Sequence, residues 1–166
     1  MQLTAHRGLA LLEALVALVI LAFGLLGLLW MHQQALASQR QQLMRSVASG
    51  IAEDLAERMH LNATQRAGYA KSWGTHATSI ARDCASTPCQ RSELAAWDLA
   101  QLQHSLDTQL PEGDAAVFAL TTTPGWWGIV VTWRDATESY RTDTTAGTPT
   151  CPAQMSCWRL FFRPDR

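Results

Sequence analysis

The stretch Gly8-Leu9-Ala10-Leu11-Leu12-Glu13, continued from Ala14 to Met31 as ALVALVILAFGLLGLLWM, decides how the rest of the chain is read. Leu9 to Met31 holds one charged residue, Glu13, and Ala14 to Met31 holds none. About 20 apolar residues wound as a helix span the hydrocarbon core of a bilayer, and a helix satisfies its own backbone there. Arg7 precedes the run and no Lys or Arg follows until Arg40. That asymmetry keeps the N-terminus in the cytoplasm and exports the remainder. A cleaved secretory signal has a shorter apolar core and a small-residue cleavage site, and Trp30-Met31-His32 is no such site. A plain single-pass anchor explains the length but not Glu13. A carboxylate within a membrane helix costs about 2.5–3.5 kcal/mol, so it marks a function unless it snorkels from the helix start to the interface.

Reading outward, the helical pattern continues to about Arg66. No proline occurs before Pro88, and Leu36, Leu43, Val47, Ile51, Leu55 and Met59 recur at near-helical spacing. Ser38, Gln39, Gln41, Gln42, Arg45 and Arg58 supply a polar face. Gly24, Gly27 and Gly50 are points of bending or, in the membrane, of close helix packing. Within Ala48 to Asn62, ASGIAEDLAERMHLN, the pair Asp54–Arg58 has the spacing that stabilises an amphipathic helix. Asn62-Ala63-Thr64 fits a glycosylation sequon and is read as chance; Gly68-Tyr69 begins a loop.

The chain has 166 residues, 48% hydrophobic and 16% charged, enough to bury one domain core. Its 13 basic and 14 acidic residues leave a net charge of −1, without the cationic excess that non-specific nucleic-acid binding needs. Ser92 is placed as the cap of a second helix reaching Leu110, with Leu94, Trp97, Leu102, Leu106 and Leu110 on one side and Pro111 and Gly113 as its stop. Strands follow at Ala115 to Thr121, Gly128 to Arg134 and Trp158 to Phe162. In the second, Ile129, Val131 and Trp133 alternate with Val130 and Thr132; in the third, Trp158, Leu160 and Phe162 align. Pro124-Gly125 is a turn, and Asp135 to Pro149 is a Thr-rich loop or frayed hairpin. The expected fold is α+β: a long N-terminal helix packed on a small antiparallel sheet, with one extra helix.

All four cysteines lie on the exported side, where an even count points to disulfides. Three connectivities are possible. The first choice is the two local pairs, Cys84–Cys89 and Cys151–Cys157; the rival is a zinc site, with spacings looser than zinc motifs use. A C-x-x-C redox motif is absent. Seven tryptophans call for burial, and Trp126-Trp127 are placed in the core or over a sheet edge. His6, His32, His60, His76 and His104 form no metal-ligand pair, and no phosphate loop or nucleophile–base arrangement is present, so neither catalysis nor a metal or other cofactor is expected.

Gly8 to Glu13 followed by an uncharged run resembles the type IV prepilin signal. That resemblance implies cleavage by a prepilin peptidase between Gly8 and Leu9 and N-methylation of Leu9. It makes Glu13 the fifth residue of the mature chain, where it sets subunit register; the family's usual first residue, Phe, is here Leu9. Ala48 to Asn62, and Leu94 to Leu110 reading LAAWDLAQLQHSLDTQL, are similar to the PilV family of minor pilins, the type IV pilus modification proteins. That family tends to Arg-Ala-Asn where this chain has His60-Leu61-Asn62. The resemblance implies a leader at 1–8, a transmembrane half-helix at 9–31 and a periplasmic pilin head at 32–166. It implies residence in the inner membrane and then in the pilus, near its tip. It also implies partners: the prepilin peptidase, other minor pilins, the major pilin, the assembly platform and a tip adhesin, with no nucleic acid. A minor pseudopilin of a type II secretion system shares the same N-terminus. A DNA-binding competence pilin would need a basic strip on the head, and a plain anchored binding module would keep its first eight residues.

Overall fold

The computed structural model describes residues 6–76, 82–135 and 147–164. Residues 1–5 of the expected leader and most of the expected Thr-rich loop, 136–146, lie outside the described residues. A helix α1 (His6–Leu61) is followed by a 3-10 helix (Ala63–Tyr69), α2 (Arg91–Gln109) and strands β1 (Asp114–Ala119), β2 (Trp127–Arg134) and β3 (Met155–Phe162). The chain divides into two compact units, Met1–Gln42 and Leu43–Arg166.

The first unit is helical wherever it is described. Its Leu- and Ala-rich composition favours that state, since unbranched side chains lose little rotamer freedom in a helix. Leu11, Leu12, Leu15, Leu18, Ile20, Phe23, Leu25, Leu28 and Trp30 are all exposed. By length and composition this helix is able to cross a membrane.

The second unit buries one face of the remainder of α1. Ala48, Ile51, Ala52, Leu55 and Met59 form one stripe, at the spacing that puts every third or fourth residue on one face. They meet Leu102 and Leu106 of α2, and Val117, Ile129, Val131 and Trp133 of the sheet. α1 ends at Leu61 rather than near Arg66, because Asn62 leaves helical geometry at φ −117° and ψ 37° and the chain tightens into the 3-10 helix. Tyr69, expected to open a loop, closes that helix and is fully buried.

α2 starts one residue before Ser92, the expected cap. Gln90 holds the cap position, and its backbone N–H donates to Glu93 Oε2 at 2.8 Å. The helix buries Ala95, Asp98, Leu102 and Leu106, whereas Leu94 and Trp97 are half-buried, so its core face is rotated from the expected one. Pro111 cannot continue the helix, and its carbonyl accepts from Arg134 N–H at 2.9 Å.

The sheet is antiparallel in the order β1-β2-β3. Register sets Val117, Ile129 and Leu160 in one row and Ala115, Val131 and Trp158 in the next. β1 begins one residue early and stops two short of Thr121; β3 begins three residues before the expected Trp158. Ile129, Val131 and Trp133 share the core face of β2 as expected, and the other face is buried too, from Trp127 to Trp133. On its second face Phe118 lies over Gly128, whose Cβ would stand 2.4 Å from Phe118 Cζ. Of the tryptophans only Trp127 and Trp133 are buried; Trp30, Trp126 and Trp158 are exposed. Cys84 is bonded to Cys89 and Cys151 to Cys157, the two local pairs.

Candidate assembly interface

The residues singled out in the N-terminal segment all belong to α1. Gly8 and Leu9 lie in its opening turns, and Glu13 is exposed among the exposed apolar side chains that follow. A carboxylate in such a row is the one group able to form a charged contact there, and its neighbours can make only apolar ones. The surface is therefore suited to helix packing with one electrostatic fixed point, since a charge pair in a low-dielectric setting is strong and position-dependent.

Within the second unit, the end of α1 is tied to the rest of the head by a polar cluster of which sequence reasoning found only the Asp54–Arg58 pair. Asp98 of α2 is buried and accepts two bonds: Arg58 Nη1 donates to its Oδ1 at 3.0 Å, and the Tyr69 hydroxyl donates to its Oδ2 at 2.6 Å. Asn62 Nδ2 donates to the Tyr69 hydroxyl at 3.2 Å and to the Arg91 carbonyl at 2.8 Å. Arg58 Nε also donates to Asp54 Oδ2 at 2.8 Å, and its guanidinium lies 5.7 Å from the Trp97 ring centre. The expected Asp54–Arg58 pair is thus present as part of a larger cluster. Burial works against the Arg58 charge, but its hydrogen bonds to Asp54 and Asp98 outweigh that and hold the guanidinium above its usual value. Burial, and then the bond to the Asp98 carboxylate, push the Tyr69 phenol well above its ordinary value. Asn62, the sequon residue, is 1% exposed with its amide engaged, so the folded head offers it to no glycosylating enzyme.

A second tie closes the sheet edge. Lys71 and Val117 exchange both backbone bonds, at 2.9 and 2.8 Å. Lys71 Nζ donates to Asp114 Oδ1 at 2.6 Å and to the Ala115 carbonyl at 2.8 Å, while Gly74 N–H donates to Asp114 Oδ2 at 2.7 Å. Burial raises the Asp114 carboxyl, but Lys71 and the Gly74 and Ala115 N–H groups outweigh it and hold the carboxyl below the usual range. An available signal was overlooked: Lys71 is the only lysine in the chain. A chain that otherwise uses arginine places its one flexible ammonium where a buried carboxylate and a carbonyl receive it.

The four cysteines lie far from Glu13 in sequence and brace the head. Cys84–Cys89 closes a loop that Asp83 organises, accepting from Ala85 N–H at 2.9 Å and from the Ser86 hydroxyl at 3.0 Å, and this loop delivers the chain to α2. Cys151–Cys157 fastens the approach to β3 to β3 itself.

A family model described as Tt1218-like, type IV pilin Tt1218, matches residues 31–100, which are 70 of the 166 residues. Over that span the chain is similar to a type IV pilin. The span contains every member of the Arg58–Asn62–Tyr69–Asp98 cluster and stops before the sheet. No curated protein and no solved structure matches the chain.

Proposed function

We propose that the chain is a minor pilin, of the PilV kind, that is incorporated into type IV pili and takes part in starting their assembly. The observation that carries this reading is the conjunction of the type IV pilin match over residues 31–100 with an apolar run just before it whose single charge is Glu13. In this reading residues 1–8 are a leader, 9–31 anchor the chain in the inner membrane and 32–166 are the exported head. A prepilin peptidase cleaves between Gly8 and Leu9, acting on the chain as its substrate, and Leu9 is then N-methylated. The chain itself catalyses nothing.

Cleavage leaves an ammonium at Leu9, at a helix N-terminus where the macrodipole already disfavours positive charge. Glu13 of a neighbouring subunit relieves that ammonium, and the ammonium relieves the carboxylate. Neither group is easily accommodated alone in an apolar environment, so the pair selects one register as the helix leaves the bilayer. The head then makes the specific contacts with other minor pilins, with the major pilin and with the assembly platform.

The test is a deletion in the native host, complemented on a plasmid, with sheared pili and secreted exoproteins quantified from one culture. Loss of pili with secretion intact supports the reading. Loss of secretion with pili intact moves the chain to a type II secretion pseudopilus. A complementing Glu13→Ala chain is expected to be inserted and cleaved normally yet largely missing from sheared pili; normal incorporation would overturn the role given to Glu13.

A further inference from the structure

The two disulfides of the head are placed differently. Cys151 is 6% exposed, so one end of the Cys151–Cys157 bond is closed to a reagent, and the bond fastens the preceding segment to β3. Cys84 and Cys89 are each half-buried, and the residues between them, Ala85 to Pro88, are all exposed. The loop they close is also closed without them. The Asp83 carbonyl accepts from Thr87 N–H at 3.1 Å and from the Thr87 hydroxyl at 2.7 Å, while its carboxylate accepts from Ala85 N–H and the Ser86 hydroxyl. Arg82 Nη1 donates to the Pro88 carbonyl at 3.3 Å across the mouth of the loop. A cross-link between residues five apart removes little chain entropy, and here hydrogen bonds already impose the shape. Loop closure therefore does not account for the bond. Its exposure places it among the disulfides that are open to exchange.

We infer that Cys84–Cys89 is a reversible redox modification site, opened by a protein dithiol, and that Cys151–Cys157 is a permanent cross-link. A thiolate of the dithiol attacks one sulfur of the Cys84–Cys89 bond. That bond breaks as a mixed disulfide forms, and the other cysteine leaves as a thiolate. The second thiol of the dithiol then resolves the mixed disulfide. The chain gains two electrons and two protons as two thiols, and the dithiol becomes a disulfide. The head stays folded through this cycle, because both cysteines lie outside the core and the sheet. What changes is the approach to α2: Cys89 directly precedes Gln90, the cap residue that Glu93 holds, and Asn62 holds the Arg91 carbonyl just beyond. Opening the bond loosens the start of α2 alone. The inference stands on the head by itself and does not need the pilus role.

The first test treats the full chain in detergent with dithiothreitol, without denaturant, and alkylates the thiols as they appear. Peptide mass spectrometry is expected to show Cys84 and Cys89 labelled roughly tenfold faster than Cys151 and Cys157, with the near-UV circular dichroism of the tryptophans retained. Equal rates, or loss of that dichroism with the first label, would overturn the inference. The double variant Cys84→Ser/Cys89→Ser is expected to melt within about 5 °C of the parent, and Cys151→Ser/Cys157→Ser further below it. A Cys84→Ser/Cys89→Ser chain that does not fold would show that the loop needs its bond, and would also overturn the inference. The second test quenches host cells in acid at several growth stages and alkylates their thiols. Cys84 and Cys89 reduced in part of the population, with Cys151 and Cys157 oxidised throughout, supports the inference. Full oxidation of both pairs at every stage overturns it. The deletion phenotype that decides the pilus reading enters none of these readouts.

Discussion

The two units of the chain treat their side chains in opposite ways. From Leu11 to Met31 even leucine and phenylalanine are exposed, whereas in the head an aspartate, an asparagine and a lysine are buried, each with a partner. The contrast does not lie in helical propensity, because α1 contributes to both units. It lies in where the covering atoms come from. The apolar half finds no cover among the described residues of the chain, and the head supplies its own. A mutation in the first half should therefore appear in localisation and assembly, and one at a buried position of the head should appear in stability.

The largest expected effect separates the units outright. A chain beginning at Gln34 loses the apolar run and is expected to be soluble and monomeric without detergent, while the full chain sediments with membranes; fractionation and analytical ultracentrifugation measure both. A truncated chain that still pellets with membranes would place an anchoring surface in the head and break the contrast.

Next in size is Asp98→Ala, which leaves Arg58 and the Tyr69 hydroxyl without their shared acceptor. Arg58 keeps Asp54, so the cost is chiefly the buried Tyr69 hydroxyl and one guanidinium N–H left unpaired, about 1–3 kcal/mol, still a sizeable share of the stability of a small domain. Urea unfolding should show a lower midpoint at constant slope. A shift of under about 1 kcal/mol would mean that the cluster adds little beyond what water supplies.

These two predictions draw on parts of the molecule that were unequally readable. The apolar run and the stripe from Val47 to Met59 were legible because burial of apolar residues follows a period visible in one dimension. Both disulfides joined the sulfurs closest in sequence. Asp98 was invisible for the opposite reason. Its burial depends on an arginine 40 residues earlier and a tyrosine 29 residues earlier, and no local pattern records such pairings. The cap misplaced at Ser92 and the burial of the second face of β2 were missed for different causes. The cap is fixed locally, by Glu93 folding back on Gln90 three residues earlier, whereas the second face of β2 is covered from another strand, with Phe118 lying over Gly128.

The smallest expected effect sharpens the contrast with pH. The folded Asp114 carboxyl is held below its ordinary range, so its ionised form is favoured by folding. That contribution is complete above the ordinary carboxylate value near 3.8 and is lost as pH falls through the lower folded value. Thermal unfolding of the head should therefore weaken at the acid end, and Asp114→Asn should start less stable at neutral pH and weaken less on acidification. An unchanged acid limb in the variant would assign that limb to other carboxylates.

The single lysine has a practical consequence. Its ammonium is buried under Asp114 and the Ala115 carbonyl, so the folded chain offers amine-selective acylating reagents no accessible side-chain target. Such a reagent should tag the terminal α-amine first, and the tagged peptide would report whether that amine belongs to Met1 or Leu9. Acylation at residue 71 would come later, at the rate at which the strip paired with Val117 lifts from the sheet.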